Sequence, residues 1–415
     1  MQLVHGHKPV PAPLGVPLWD IDPYAPDVLT NPVPFFDQLR GHGAFAYLSR
    51  YKMLICGGYD VTREVFSDHT RFVSARGIGV SDFALEPPWR PPSIVLEVDP
   101  PAHARTRRVL TRALSPKVVA DLRIAFAQEA NRLVGDLVAR ATLDGVADLA
   151  EAFPTSVFPR AVGIKQPDAR KLVDYGAMVF NAIGPDNALR RAMMSKGPEI
   201  VPWINAQCLR ENLTSDGIGA AIYSAADAGD ITEDEAGMLV RSLLSAGVDT
   251  TVTGLAQALL CLARAPDQFA LLRADPTLAL AAFEETLRYT SPVQAFCRTA
   301  AQDTRVAGVD IAAGTKILCV LGAANRDPAH WPDAHRFDIT RKTAGHLALG
   351  VGVHMCVGQN IARAEGQAVL RALAEQVGQI TLTGSPTPRA NNAMHAVDHL
   401  PLHFSPRQRG RDAQR

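Results

Sequence analysis

The sequence carries no excess of either charge. Lys and Arg number 42, and Asp and Glu also number 42, so nothing global points to nucleic acid or to an acidic membrane surface as a partner. Cysteines are few and unclustered. Cys56, Cys208, Cys261, Cys297, Cys319 and Cys356 are scattered, with no pair two to four residues apart. This excludes a zinc knuckle and a dense disulfide framework, and free thiols fit a reducing cytoplasm. The N-terminal stretch MQLVHGHKPVPAPLGVPLWD has no apolar run of the length that a signal peptide or a membrane span needs. Internal repeats and low-complexity linkers are missing too, which leaves no domain boundary. The expected organisation is a flexible N-terminal segment (1–20), one domain (21–405) and a frayed polar tail (406–415).

What is present is material for a large core: 47% of residues are apolar and 20% charged. Most of the chain has helical texture, rich in Ala, Leu, Arg and Glu. A helix is expected over Asp121–Arg140. Another follows the capping box Thr232-Glu-Asp-Glu235 and runs unbroken to about Arg264, roughly 30 residues. Leu278–Tyr289 forms a further helix, stopped by Pro292, as does Gln359–Ala374. Strand signals are short: Tyr51–Cys56, and a small hairpin of Arg305–Val309 with Lys316–Val320. The fold class is mainly α with minor β-sheet. Between Ser74 and Ala102 lies a long irregular, proline-rich segment holding Phe83 and Trp89. Such a loop in a compact protein is functional or disordered, and its apolar content argues for a packed functional one.

The strongest motif is Leu349-Gly-Val-Gly-Val-His-Met-Cys356-Val-Gly-Gln-Asn-Ile-Ala-Arg363. Gly350, Gly352 and Gly358 let the backbone pass close to a flat ligand and adopt positive φ. Cys356 precedes a helix starting near Gly358, whose positive end and loop amides stabilise a thiolate. A lone cysteine in a tight turn is most often structural; three glycines, His354 and Arg363 at these spacings argue otherwise. The loop resembles the signature of the cytochrome P450 family, Phe-Gly-x-Gly-x-His-x-Cys-x-Gly followed by Leu-Ala-Arg, with Leu349 and Ile361 as apolar replacements. The resemblance implies the P450 fold and haem b with Cys356 as its axial ligand, a thiolate that pushes electron density onto iron.

Three further motifs extend the likeness. Glu285 and Arg288 share a helix face at i, i+3. A surface ion pair is the bland alternative; the resemblance implies a buried structural pair, completed by Arg336 or Arg341. Ala246-Gly-Val-Asp249-Thr250-Thr251 puts a glycine, an acid and alcohols inside the long helix. Glycine costs about 1 kcal/mol there against alanine, and the helix can open locally at such a site. The resemblance implies oxygen activation, with Asp249 relaying protons and Thr250 hydrogen-bonding dioxygen. It also implies that His103, Arg107, Arg298 and His354 hold the haem propionates, since cationic donors suit carboxylates. Between Pro100 and Ala120 basic residues occur without any acid. They read either as a solvated helix face or as a docking surface near Arg105, Arg108 and Arg112 for an acidic [2Fe-2S] ferredoxin, itself reduced by an NAD(P)H-dependent reductase.

Over nearly the whole chain the sequence is similar to bacterial P450s that demethylate 4-methoxybenzoate. Shared stretches include Pro88-Trp-Arg-Pro-Pro-Ser93, Val240-Arg-Ser-Leu-Leu-Ser-Ala-Gly247 and Asp338-Ile-Thr-Arg-Lys-Thr343. The likeness implies that Arg90, Ser93, Ser242 and Ser245 hold a substrate carboxylate, with Arg241 as a nearby charge. Phe180 and Phe296 would flank the ring, and Leu96 and Ala246 would supply aliphatic contacts. Ile183 and Cys297 stand where those relatives carry phenylalanine, and Ile183 is expected to reshape the pocket beside the ring. The residues themselves are compatible with this. Ser242, Ser245 and Asp249 fall on one helix face, and seven residues span roughly 10 Å of axis. A carboxylate in an apolar pocket needs hydrogen bonds and a counter-charge. The alternative is a surface arginine and serines bonded back to their own helix.

The implied activity is hydroxylation or O-demethylation of para-substituted benzoates with dioxygen and NAD(P)H-derived electrons, in a cytoplasmic protein. Other readings are oxidation of another small apolar molecule (terpene, fatty acid or other aromatic), a peroxide-driven peroxygenase, and a non-catalytic haem protein that binds gas.

Overall fold

The computed structural model describes residues 10–408. Helices dominate, and they begin where the sequence supplies caps. Thr232 accepts the Glu235 amide at 3.2 Å, and the Glu235 carboxylate accepts the Thr232 amide at 2.8 Å. This reciprocal box opens the helix Glu233–Ala246. The helix expected from Asp121 starts earlier, at Pro116, because Ser115 caps it and proline suits its first turn. The helices Ala279–Thr290 and Gln359–Gln376 match expectation closely.

The long helix is not unbroken. It stops at Ala246 and resumes as Asp249–Arg264. The glycine at the break is there for a steric reason. A Cβ on Gly247 would lie 2.1 Å from Cζ of Phe158, so that ring occupies the space a side chain would need. The freed carbonyls find local donors: Thr250 Oγ1 donates to Ala246 O at 2.7 Å and Thr251 Oγ1 to Gly247 O at 3.3 Å. Taken as one rod, Glu233–Arg264 is long and apolar enough to cross a membrane, but 78% of its most apolar window is buried within the protein. It is a core helix here.

The main sheet has six strands in the order Leu18–Trp19, Ala46–Leu48, Met53–Cys56, Lys316–Val320, Ala295–Ala300, Phe72–Val73. Its central pair is parallel, with Leu54 opposite Ile317, and so joins the two halves of the chain in one sheet. The expected hairpin of Arg305–Val309 with Lys316–Val320 is therefore wrong. Thr304–Val306 pairs with Val309–Ile311 instead, across a turn in which Ala307 and Gly308 both take positive φ. That two-residue turn fixes the local register and releases Lys316–Val320 to the main sheet.

Two boundary expectations also change. Leu18–Trp19 pairs with Tyr47–Leu48, so the segment expected to be flexible through residue 20 is tied down before that point. At the other end Pro406 closes the strand Pro401–Pro406 and Arg407 donates to Ala374 O at 2.9 Å. Residues 1–9 and 409–415 lie outside the described residues.

The Ser74–Ala102 segment has no helix or strand before Ala102, yet it is firmly docked. Buried Lys316 donates Nζ to Arg76 O at 3.1 Å and Gly77 O at 3.0 Å. Burial pulls the Lys316 ammonium down to about 8. Cys297 donates its amide to Ile78 O at 2.7 Å, and Val80 donates to Ile183 O at 3.0 Å.

Glu285 and Arg288 are fully buried and doubly bonded, at 2.7 and 2.8 Å. Arg341 completes the set through Nε to Glu285 Oε1 at 3.3 Å. Arg336 contributes its backbone carbonyl, which accepts from Arg288 at 3.2 Å.

Candidate active site

A cavity of about 1710 Å³, counting its opening to solvent, runs between the docked loop, the broken helix and the cysteine loop. Among the described residues, Cys356 is the one cysteine on its wall; Cys56, Cys208, Cys261, Cys297 and Cys319 are buried elsewhere. The Cys356 amide donates to Leu349 O at 2.8 Å. Gly350 and Gly352 both sit at φ +73°, a conformation glycine reaches without strain. Gly358 does not: its φ is −83°, and its service is different. Its amide points at the Cys356 thiol. Burial pushes that thiol up, while the Gly358 amide and the charges of Arg107 and Arg363 pull it down.

Beside the cysteine lies a cationic corner short of anions. Arg298 is fully buried. It donates to Cys297 O at 2.9 Å and stacks on Phe66, 3.9 Å from the ring centroid. Neither Arg298 nor Arg107 has a carboxylate partner among the described residues. His103 and His354 meet edge to face with ring centroids 4.5 Å apart. His103 Nε2 and His354 Nδ1 are buried and unbonded. Burial, then the neighbouring His354 and Arg107, push His103 down to about 4. Asp99 pairs with His354 Nε2 at 3.3 Å and otherwise takes the amides of Ser74 and Ala75. Each buried donor left unbonded costs about 1–3 kcal/mol, so the corner is built for an anion it does not itself supply.

Thr250 is on the cavity wall, and Asp249 is behind it. Asp249 is buried, with Oδ1 3.0 Å from Arg389 Nη2 and Oδ2 unbonded. Burial raises its carboxyl to about 6, against the pull of Arg389. A second buried acid also faces the cavity. Glu365 accepts from Thr251 Oγ1 at 3.1 Å, its Oε1 is unbonded, and burial raises it to about 8. Neither Arg389 nor Glu365 was picked out in the sequence. Arg389 lies on a distant strand, and no spacing rule links it to Asp249. Glu365 did leave a signal: it falls on the buried face of its helix, with Ile361, Ala364 and Val369.

Arg90, Ser93, Leu96, Phe180, Ile183 and Phe296 line the cavity, with Ser242, Ser245 and Ala246. Loop and helix meet there: Ser93 Oγ lies 3.3 Å from Ser242 Oγ, and Arg241 donates to Pro91 O at 2.8 Å. Arg241 is behind the wall, as a nearby charge should be. The serines do bond back to their helix, Ser242 to Met238 O at 2.9 Å and Ser245 to Ser242 O at 3.0 Å, so both hydroxyl hydrogens are committed to backbone carbonyls. Cys297 is not on the wall. Strand alternation turns Phe296 to the cavity and Cys297 to the core beside Val80 and Leu318, so its replacement of phenylalanine does not reshape the pocket.

The charge run on the helix Ala102–Ala113 is partly spent. Arg105 is paired with Glu235 at 2.8 Å and Arg112 with Asp230, while Arg108 is exposed and has no ion-pair partner among the described residues.

The chain matches the sequence model described as Cytochrome P450 over residues 158–376, a span that includes Cys356. It is 49% identical to Cytochrome p450 CYP199A2 of Rhodopseudomonas palustris, over 94% of this chain and 95% of that protein. The chain belongs to the cytochrome P450 family. It is also 33% identical to the P450 monooxygenase PikC of Streptomyces venezuelae, over 96% of both chains. Two solved P450s share the fold: CYP109Q5 from Chondromyces apiculatus, with TM-score 0.78 and 29% identity over 94% of this chain and 99% of that one, and P450BioI in complex with an acyl-carrier protein, with TM-score 0.81 and 26% identity over 92% and 99%.

As a P450 the protein is a haem monooxygenase, with a cysteine thiolate as the axial ligand. The residues present fit that group. Cys356 is on the cavity wall with Arg107, Arg298 and His354, and the two guanidiniums, beside the unbonded ring nitrogens of His103 and His354, suit the carboxylates of such a cofactor.

Proposed function

We propose that this P450 hydroxylates or O-demethylates para-substituted benzoates, such as 4-methoxybenzoate to 4-hydroxybenzoate and formaldehyde. One observation carries the reading. Arg90 and Ser93 of the loop come together with Ser242 of the helix on the wall of a largely apolar cavity that also exposes Cys356, with Arg241 directly behind, bonded to Pro91 O. Ser242 and Thr250 lie on either side of the helix break, both on the cavity wall. That placement suits a benzene ring with its carboxylate at one end and its para substituent at the other. The likeness to 4-methoxybenzoate demethylases points the same way.

Bound haem supplies the oxygen-activating chemistry; the chain supplies placement and protons. Arg90 takes the carboxylate, and Ser93, Ser242 and Ser245 turn their hydroxyl hydrogens toward it, Ser242 and Ser245 away from the carbonyls of their own helix. Phe180 and Phe296 bracket the ring with Leu96 and Ala246 beside it, and Ile183 leaves one side less flat. Oxidation of the methoxy carbon gives a hemiacetal, which collapses to phenol and formaldehyde. Asp249, held in place by Arg389, takes up and passes protons, and the Thr250 hydroxyl passes them on toward dioxygen. This relay favours a reductive cycle over a peroxide-driven one. Electrons come from NAD(P)H through a reductase and a [2Fe-2S] ferredoxin. Arg108 is the free charge of the proposed docking face, with Arg105 and Arg112 available only by exchange from their acidic partners. The setting is cytoplasmic.

Spin-state titration tests the substrate class. The ferric protein shifts from low to high spin with 4-methoxybenzoate, and Arg90→Ala weakens this binding about 10- to 100-fold, the worth of a charge-assisted hydrogen bond. A neutral terpene or fatty acid that shifts the Soret band where 4-methoxybenzoate does not sinks the reading. Turnover with NADH, ferredoxin and reductase separates a monooxygenase from a peroxygenase and from a gas-binding protein.

A further inference from the structure

Arg90 faces two cavities. Besides the main one it lines an outer cavity of about 890 Å³, together with Trp89, Glu86, Glu97, Asp186 and Arg190. Glu97 belongs to the outer wall only. Its Oε2 lies 3.3 Å from Arg90 Nη1, with the two side chains 8% and 12% exposed. The same oxygen accepts the Ser93 amide at 2.8 Å, and Ser93 O accepts the Glu97 amide at 2.9 Å. Arg90 otherwise donates to Pro91 O at 3.0 Å, and its Nε is buried without a partner. The guanidinium that faces the substrate cavity is thus held from behind by one long contact to an internal carboxylate.

We propose that Glu97 is a latch on Arg90: it holds the guanidinium until a carboxylate substrate takes it, and so sets how tightly the pocket accepts that class. The proposal rests on the benzoate reading. Three physical points carry it. The Arg90–Glu97 contact uses one nitrogen, whereas a guanidinium binds a carboxylate best through two. An incoming carboxylate can therefore make the better bond. Next, Arg90 and Arg241 lie close enough for each guanidinium to disfavour the other, and Glu97 acts on both from the opposite sign. A monoanion entering from the main cavity relieves that repulsion. Last, a nearly buried charge that loses its partner is left uncompensated. Removing Glu97 therefore destabilises the empty site more than the filled one, and substrate binds tighter.

Stopped-flow and equilibrium spin-state titrations of the ferric holoenzyme test this, with 4-methoxybenzoate and neutral 4-methoxytoluene as paired probes. Glu97→Gln keeps the acceptor for the Ser93 amide and removes the charge. It is expected to bind 4-methoxybenzoate about two- to fivefold tighter, the range for one partly screened ion pair, with 4-methoxytoluene unchanged. Glu97→Asp restores the charge and the wild-type ratio of the two affinities. Equal or weaker benzoate binding by Glu97→Gln, with wild type still binding benzoate, overturns the latch and leaves the substrate class standing. Equal shifts for both probes also overturn it, because they mean that Glu97 only shapes the loop. A wild-type protein that ignores 4-methoxybenzoate overturns latch and substrate class together.

Discussion

Asp249 owes its charge to Arg389. Burial alone would keep the carboxyl neutral, and the arginine 3.0 Å away brings it back to about 6. If the ionised carboxylate is the form that accepts and passes protons, turnover rises through that pKa. Arg389→Ala leaves only the desolvation, so the midpoint moves to higher pH, by about one unit or more. Turnover of 4-methoxybenzoate at pH 7 then falls and recovers at higher pH. A kcat profile that does not move would show that the relay bypasses Asp249. Lys316 gives a stability counterpart. Its ammonium titrates at about 8 in the fold against 10.5 when free, so between those values the unfolded chain holds a proton the native state has shed. Stability then rises with pH across that window. The full cost of the buried charge, about 3 kcal/mol, is present below pH 8. Urea unfolding should show wild type gaining on Lys316→Met by most of that amount between pH 7.5 and 10.5.

The helix break is the element on which the site turns. Gly247 has no Cβ because Phe158 occupies the space, and the interruption brings Thr250 to the cavity and Asp249 to Arg389. Gly247→Ala forces the ring and helix apart. Overpacking of this kind costs about 1–3 kcal/mol, and because Phe158 also lines the cavity, the substrate affinity should fall along with the urea midpoint. Loss of stability without any change in binding would mean that the break is only a packing feature. The motif around Gly247 was legible because glycine, acid and alcohol are sequence neighbours. So were the Cys356 loop, the Glu285–Arg288 pair and the Thr232 box, whose partners lie within one or two turns of each other. What the sequence hid were partners brought together by the fold. Arg341 and Arg336 are equivalent on paper; the choice depends on which side chain points back at Glu285. The Arg105 and Arg112 charges looked free because Glu235 and Asp230 come from a different element. Lys316–Val320 looked like half of a hairpin because β propensity names a strand but not its neighbour.

At the scale of the whole molecule, the chain is unfinished without its cofactor. Buried Arg288 is paired with Glu285, but Arg298 is fully buried with a backbone carbonyl and a phenylalanine ring for company, and His103 and His354 hold unbonded nitrogens beside it. An uncompensated buried charge is destabilising, and replacing it by an apolar side chain of similar length is neutral or stabilising. When a propionate arrives, the same cation becomes a charge-assisted donor. Arg298→Met should therefore have opposite effects on the two forms of the protein. The haem-free chain becomes more stable by about 1–3 kcal/mol. The loaded protein releases haem to a scavenger about 10- to 100-fold faster, the worth of one such bond. Urea unfolding of the haem-free chain and the rate of haem transfer measure the two sides. A variant that is destabilised without haem and releases haem at the wild-type rate would make Arg298 a packing residue rather than a propionate holder. The crossover is expected because the corner stores, as local instability, part of the free energy that haem binding later recovers.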